Sequence, residues 1–330
     1  MNMANVAQFT PGIQLLQIVF WSRLSFGREQ VIQRLSALPD VHLTVCATLA
    51  ECIHALPDAD GLILYNCPPT DASSLALAIH ERAPKLGWMH FLTAGRDGFA
   101  GVELPERVQI TSVAGAFAPV VAEHAMALLL TLVRRLPVAL QQQADRRWDR
   151  KYAHSMSSLE GRTMLIVGLG QIGREIARRA RPFGVTTLGV TRDGRADPSV
   201  DECLPLSDLH AGLSRSDIVM LSIALTAQTR HLMNRDALAA CRHGTFLVNV
   251  ARGAVVDQAA LCDALSSGRL AGAGIDVATP EPLPDSDPLW QQPNLVVTPH
   301  LAVEGSLVSE VRVAQGTLTA LRQRWLLPGA

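Results

Sequence analysis

Short apolar runs separated by helix-length segments recur along this chain, the rhythm of successive βα units. In the first third the runs lie at residues 13–20, 41–46, 61–65, 86–91 and 108–112, and they predict a first open parallel sheet. Residues 120–136, VVAEHAMALLLTLVRRL, predict a long helix with apolar residues on more than one face. Such a helix has to be covered from two sides. Burial within one subunit would do this, and so would packing between domains and against a second subunit, which makes a homodimer an expectation. The polar residues 141–158, with Trp148 and Tyr152, show no clear periodicity and predict a long irregular connection. Apolar runs at 217–222, 244–250, 270–275 and 294–297 predict further strands, and residues 307–326 a final helix with Leu307, Val311, Ala314, Leu318 and Leu321 on one face.

The stretch 162–192 organises the rest. Residues 164–167 form a short apolar run suited to a buried parallel strand, and Gly168-Leu169-Gly170-Gln171-Ile172-Gly173 follows directly and opens a helical pattern. Gly168 permits a tight turn, Gly170 lets a pyrophosphate approach the backbone, and Gly173 lets the helix pack closely on the strand. The phosphates would meet a helix N-terminus, where unpaired N–H groups and the dipole favour an anion. Ile172, Ile176, Ala177, Ala180 and Phe183 are expected on one apolar helix face, with Arg174, Glu175, Arg178 and Arg179 elsewhere.

Composition narrows the class. At 330 residues, with 48% hydrophobic and 18% charged residues, the chain is expected to form two α/β domains with large cores. A net charge of −1 removes any general electrostatic case for nucleic acid, and the basic run 174–181 reads as the solvated face of a helix. Six cysteines without a C-x-x-C pair or a nearby histidine pair argue for reduced cytosolic thiols and against a metal site. No secretory leader and no membrane-spanning run is legible, so the expected location is the cytoplasm, with no membrane partner.

Three chemistry-bearing residues stand just after expected strand ends: Arg252 after TFLVNV, Asp276 after LAGAGI and His300 after NLVVTP. In a doubly wound sheet such positions converge on one crevice. After the run ending at Phe91 comes Leu92-Thr93-Ala94-Gly95-Arg96-Asp97, also placed where α/β sheets bind ligands; the small Ala94 and Gly95 would let a carboxylate reach their N–H groups. The strings GLGQIG, NVARGAVVDQAAL, GAGIDVATPEPLP, DPLW and PNLVVTPH together resemble the D-isomer-specific 2-hydroxyacid dehydrogenase family, from about Leu92 to beyond His300. The resemblance implies a Rossmann-type doubly wound parallel sheet, residues 114–300, inserted in a flavodoxin-like substrate domain of residues 1–113 and 301–330, with the active site in the cleft between them. It implies Arg252, Glu281 and His300 as the catalytic set. Arg252 would bind a 2-keto acid through carboxylate and carbonyl, His300 would move the proton, and Glu281 would favour the charged imidazole and raise its titration above about 6.5. By the same resemblance Ala94 and Gly95 bind the substrate carboxylate and Asp276 holds the nicotinamide end of the cofactor.

Arg96, Ala224, Val303 and Gly305 depart from the family's usual residues and bear on the substrate pocket more than on the reaction; Arg96 reads either as a second anion contact or as a solvated side chain. Because the sequence ends soon after the last expected helix, a C-terminal regulatory domain like that of some phosphoglycerate dehydrogenases is not expected. For the cofactor, Thr191 occupies the place where NAD-specific Rossmann enzymes carry a carboxylate, and Arg192 and Arg195 follow, which favours NADP(H) over NAD(H). Asp193 opposes this if its carboxylate turns to the ribose; otherwise Asp193-Gly194 is a turn. The expected activity is NADPH-preferring reduction of glyoxylate, hydroxypyruvate or a similar 2-keto acid to the D-2-hydroxy acid. The alternatives are an NAD-dependent dehydrogenase working oxidatively and, from another class, a non-catalytic nucleotide-sensing corepressor. Glu281 disfavours formate dehydrogenase, which has glutamine there, whereas these motifs leave phosphite dehydrogenase open.

Overall fold

Parallel strands buried on both faces read as unbroken apolar runs, and β-carbon-free positions mark where helices press closest on them. Both features are met in the computed structural model, which describes residues 15–325 except Ser25, Ala94 and Ala114. The chain forms two units, one from the segment up to Ala116 together with the segment from Leu307, the other from Phe117–Ser306.

In chain order the first unit contains β1 (Leu16–Trp21), α1 (Arg28–Ser36), β2 (Val41–Cys46), α2 (Leu49–Ala55), β3 (Gly61–Leu64), α3 (Pro69–Arg82), β4 (Trp88–Phe91) and β5 (Gln109–Ser112). The second contains α4 (Ala118–Val133), α5 (Leu136–Ala144), β6 (Thr163–Val167), α6 (Gln171–Ala180), β7 (Thr186–Thr191), β8 (Glu202–Pro205), α7 (Leu209–Arg215), β9 (Ile218–Leu221), α8 (Arg235–Ala240), β10 (Thr245–Asn249), α9 (Gln258–Ser266), β11 (Leu270–Ile275) and β12 (Leu295–Val297). The last helix, α10 (Leu307–Trp325), belongs to the first unit, where Trp325 meets Trp88 edge-on at 5.4 Å.

The first sheet has five strands in the order β2-β1-β3-β4-β5, and all its pairs are parallel. Its order reverses between β1 and β3, the flavodoxin-like arrangement. The second sheet has seven strands in the order β12-β11-β10-β9-β6-β7-β8, all parallel, reversing between β6 and β9 in the Rossmann manner. Both are α/β, doubly wound sheets. Leu165, Val167, Val219, Leu247 and Ala273 form one layer of the second core, closed by Leu209, Leu213, Leu261 and Leu265 from the helices.

Several expectations need correction. The helix expected over 120–136 is α4, shifted toward its start by Pro119 in its first turn, and it stops where Arg134 and then Arg135, in a left-handed conformation at φ 52°, break the ladder. Val121, Ala125, Leu128, Leu129 and Leu132 of α4 are all buried within the single chain, one of the two coverings that the sequence left open. Part of the connection expected at 141–158 is helical, because α5 runs to Ala144. The edge strand β8 had no counterpart among the expected runs. Phe183 is 41% exposed rather than on the buried face of α6, since the helix ends at Ala180 and Pro182 sits in the short turn that follows. In α10 the buried positions are Ser309, Val313, Ala314, Thr317 and Leu321, and Leu307 is 75% exposed. Residues 13 and 14 of the first expected strand lie outside the described residues.

Candidate active site

The segment after β6 divides its three glycines by task. Gly168 has φ 97°, and a β-carbon there would lie 2.8 Å from Ile223 Cα, so this position has both a left-handed turn and a close neighbour. A β-carbon on Gly173 would lie 2.1 Å from the Gly168 carbonyl oxygen, which seats α6 against the strand. Gly170, which precedes α6, has open space where its β-carbon would stand. Leu169 is buried over Gly189 of β7, while Gln171 is exposed and Ile172 half-buried. Open space at Gly170 beside the free N–H groups of the first turn of α6 is what a pyrophosphate requires.

At the end of β7 the Thr191 hydroxyl is buried without a hydrogen-bond partner. An unsatisfied buried hydroxyl costs on the order of 1–3 kcal/mol, which a ligand oxygen would relieve. Arg192 and Arg195 beside it are exposed, and neither forms an ion pair among the described residues. Asp193 Oδ1 accepts the Arg195 N–H at 3.3 Å, and Gly194 has φ 71° against Pro205. One oxygen of Asp193 is thus engaged within its own turn. β8 matters here because Pro205, its last residue, bridges to Asp193 and braces that turn. Thr191, Gly170 and the α6 terminus fit a dinucleotide. The basic run on α6 is paired with nearby carboxylates: Arg174 meets Asp197, beyond β7, at 2.8 Å, Arg178 meets Glu175 at 2.7 Å, and Arg179 also contacts Glu175.

The remaining candidates stand at the carboxyl ends of β10, β11 and β12, and their loops brace one another. Arg252 follows β10, and its Nη1 donates to the Ala251 carbonyl at 2.7 Å. The buried Asn249 clamps this turn, accepting the Ala251 N–H and donating to the Arg252 carbonyl, each at 3.0 Å. Gly253 packs so closely on Ala278 that a β-carbon would lie 2.1 Å from its carbonyl. Ala278 in turn donates its N–H to Glu281 Oε1 at 3.0 Å, and Glu281 Oε2 lies 2.8 Å from His300 Nδ1. The circuit closes through Asp276, whose carbonyl accepts the His300 N–H at 2.7 Å and whose own N–H reaches the Asn249 carbonyl at 3.0 Å.

His300 itself has φ 54°. For a residue with a side chain this conformation costs on the order of 1–3 kcal/mol and persists only where the surroundings over-determine it. The Asp276 carboxylate, 2% exposed, supplies that constraint by accepting the Thr298 hydroxyl at 2.6 Å, the Leu301 N–H at 3.0 Å and the Ala302 N–H at 3.1 Å. Electrostatics follow from this arrangement. The hydrogen bond to Glu281 raises the His300 titration above the ordinary imidazole range against the opposing effects of burial and the Arg252 charge. Burial pushes Glu281 up, but the bonds from His300 and the Ala278 N–H, with the His300 and Arg252 charges, outweigh it and hold the carboxyl below its ordinary range. The contact favours an imidazolium beside a carboxylate, with the Arg252 guanidinium close enough to act on both.

In the first unit, Ala94 lies outside the described residues, and the Gly95 carbonyl accepts the Thr93 hydroxyl at 2.9 Å. Arg96 is exposed, its guanidinium 5.9 Å from the centre of the Phe91 ring. A cavity of about 530 Å³ opens beyond β1 and β3, lined among others by Arg23, Asn66 and Gly98, and Arg23 is paired with Asp71 at 3.2 Å. Among the described residues no group of three or more His, Cys, Asp or Glu is arranged to hold a metal ion, and no helix is long and apolar enough to cross a membrane. Asn249, Thr298 and the half-buried His124, which contacts Thr298, escaped sequence reasoning. The spacing of Asn249 three residues before Arg252 was the available signal for the first of them.

Residues 126–302 match the model of the D-isomer specific 2-hydroxyacid dehydrogenase NAD-binding domain. Over 258 residues the chain is 36% identical to a glyoxylate reductase of Korarchaeum cryptofilum, covering 76% of this chain and 75% of the relative. It is 34% identical over 279 residues to a D-3-phosphoglycerate dehydrogenase of Mycobacterium tuberculosis, covering 83% of this chain but only 50% of that relative. The chain thus spans about half the length of the phosphoglycerate dehydrogenase. Among solved structures, a D-isomer specific 2-hydroxyacid dehydrogenase family protein of Aeromonas salmonicida superimposes with a TM-score of 0.80 at 30% identity, covering 95% of this chain and 97% of the other. An NADPH-dependent glyoxylate/hydroxypyruvate reductase of Sinorhizobium meliloti superimposes with a TM-score of 0.75 at 28% identity, covering 95% of each chain. With the glycine turn, the Rossmann strand order and the Arg252, Glu281 and His300 circuit, these matches establish that the chain belongs to the D-isomer specific 2-hydroxyacid dehydrogenase family, NAD(P)-dependent oxidoreductases acting on CH–OH donors.

Proposed function

We propose that the protein reduces a small 2-keto acid, such as glyoxylate or hydroxypyruvate, to the D-2-hydroxy acid and prefers NADP(H) to NAD(H). The observation that carries the reading is the 2.8 Å contact between His300 Nδ1 and Glu281, which favours the protonated imidazole and leaves Nε2–H to serve the substrate oxygen. A bound nicotinamide cofactor supplies the hydride. Arg252 takes the substrate carboxylate and carbonyl oxygen in its planar fork and stabilises the charge that grows on that oxygen. His300 then gives its proton to the oxygen, and Glu281 stabilises the imidazolium until transfer. The N–H groups of Ala94 and Gly95 are the proposed second contact to the carboxylate.

The cofactor preference rests on Thr191, Arg192 and Arg195, two unpaired guanidinium groups and an unsatisfied hydroxyl that suit a 2′-phosphate, and on Asp193 being held in its own turn. We place Asp276 at the nicotinamide end of the cofactor. We further propose a homodimer, since Leu136, Val138 and Leu140 of α5 and Trp148, 98% exposed, leave apolar surface in water, and a location in the cytoplasm. A panel of 2-keto acids assayed with NADPH and NADH by nicotinamide absorbance tests the reading. Turnover of glyoxylate or hydroxypyruvate with NADPH ahead of NADH is expected, and Arg192→Ala should reduce that preference roughly 10- to 100-fold. Equal use of both cofactors would remove the NADP(H) preference, and turnover of none of the acids would favour the nucleotide-sensing alternative.

A further inference from the structure

His124, Leu128 and Leu132 recur at every fourth position of α4 and share a stripe, while Gly272, Gly274 and Asp276 alternate along β11 and its extension and share a face. These two series meet. A β-carbon on Gly272 would lie 3.1 Å from Leu132 Cδ2, and one on Gly274 would lie 3.0 Å from Leu128 Cβ. Four helical residues advance about 6 Å and two strand residues about 6.6 Å, so the register holds to the next pair. That pair is His124 and Asp276, with Nε2 3.4 Å from Oδ1.

Thr298 lies between them. Its hydroxyl donates to Asp276 Oδ1 at 2.6 Å and stands 2.9 Å from His124 Nε2. A hydroxyl has one proton, and a carboxylate can only accept, so Thr298 must accept from His124 and Nε2 must carry a hydrogen. Asp276 is the group that holds the left-handed turn at His300. We propose that His124 is a positioning residue for His300, acting through the Thr298 hydroxyl and the Asp276 carboxylate to fix the turn that aims the imidazole. The proposal rests on the reading of His300 as proton donor. α4 is thereby a rigid backing for the reacting end of the site, and the two glycines of β11 set the helix at the depth that brings His124 into contact.

Two substitutions break the link from opposite sides: His124→Leu removes the donor at similar size, and Thr298→Val removes the relay without touching α4. Each should lower kcat for keto-acid reduction roughly 10- to 100-fold, with KM changing less than about 2-fold, as for loss of orientation rather than of binding. Each should also move the His300 titration, followed by NMR of isotope-labelled histidine, toward lower pH as the contact with Glu281 loosens. His124→Gln keeps an N–H donor and should restore part of both. An unchanged His300 titration in His124→Leu and Thr298→Val overturns the proposal whatever happens to kcat. Losses in His124→Gln as large as in His124→Leu also overturn it. Should His124→Leu fail to fold, Thr298→Val decides. Should wild-type protein reduce no 2-keto acid, the functional reading fails, and the titration shift alone decides the role of His124.

Discussion

At the scale of single residues, His300 and Glu281 determine how activity depends on pH. Glu281 raises the imidazole titration above its ordinary value of about 6.5, and the protonated form is the donor. Reduction should therefore hold steady at lower pH and fade as pH rises through the raised value. In Glu281→Gln the charged partner is gone while burial and the Arg252 charge, both of which depress the imidazole, remain. The fade should move to lower pH in a pH–rate profile; overlapping profiles would take Glu281 out of the proton transfer. Arg252 is tested by charge-conserving replacement. An ammonium cannot reproduce a two-pronged contact with carboxylate and carbonyl, so Arg252→Lys should lower kcat/KM for the keto acid by about 100-fold while NADPH affinity is retained. Near-normal kinetics would move the substrate anchor elsewhere, with Arg96 the first place to look.

Individual elements carry their own pH signature. His90 lies on β4, fully buried, stacked on Trp88 at 5.0 Å, with Nδ1 2.7 Å from the Thr111 hydroxyl. Burial lowers its titration to about 4. The unfolded chain, titrating near 6.5, thus binds a proton more readily than the folded one between those two values. The contribution is complete above about 6.5 and is lost as pH falls toward 4, about 3 kcal/mol in all. His90→Phe should flatten that part of the acid dependence of the melting temperature measured by calorimetry, and an identical slope in the variant would contradict it.

Elements also show which parts of the molecule were legible. Two of the three glycine tasks could be read because the left-handed turn at Gly168 and the close packing contact at Gly173 each exclude a β-carbon, whereas the open space at Gly170 bears only on the proposed ligand. The expected edge from Arg252 to His300 was readable because parallel strands bring their carboxyl ends to one side. α5 was not readable, since it buries no residue and has no apolar period. Nor was β8, four half-buried or exposed residues ending in Pro205. His124 meets Thr298 across 174 residues, and no local pattern encodes such a pairing.

For the whole molecule, sedimentation velocity should show a dimer, because α5 and Trp148 leave apolar side chains in water. A monomer at micromolar concentration would mean that these side chains serve another partner or none. The reaction is the larger claim, and it depends on a prebuilt circuit of Arg252, Glu281 and His300 in the Rossmann unit. Its most direct test is the initial rate of NADPH oxidation by hydroxypyruvate or glyoxylate in wild type beside His300→Ala. Turnover by the wild type that falls about 100-fold or more in the variant, with NADPH binding unchanged, is the predicted result. Undiminished turnover by His300→Ala, or none by the wild type with either acid, would contradict it.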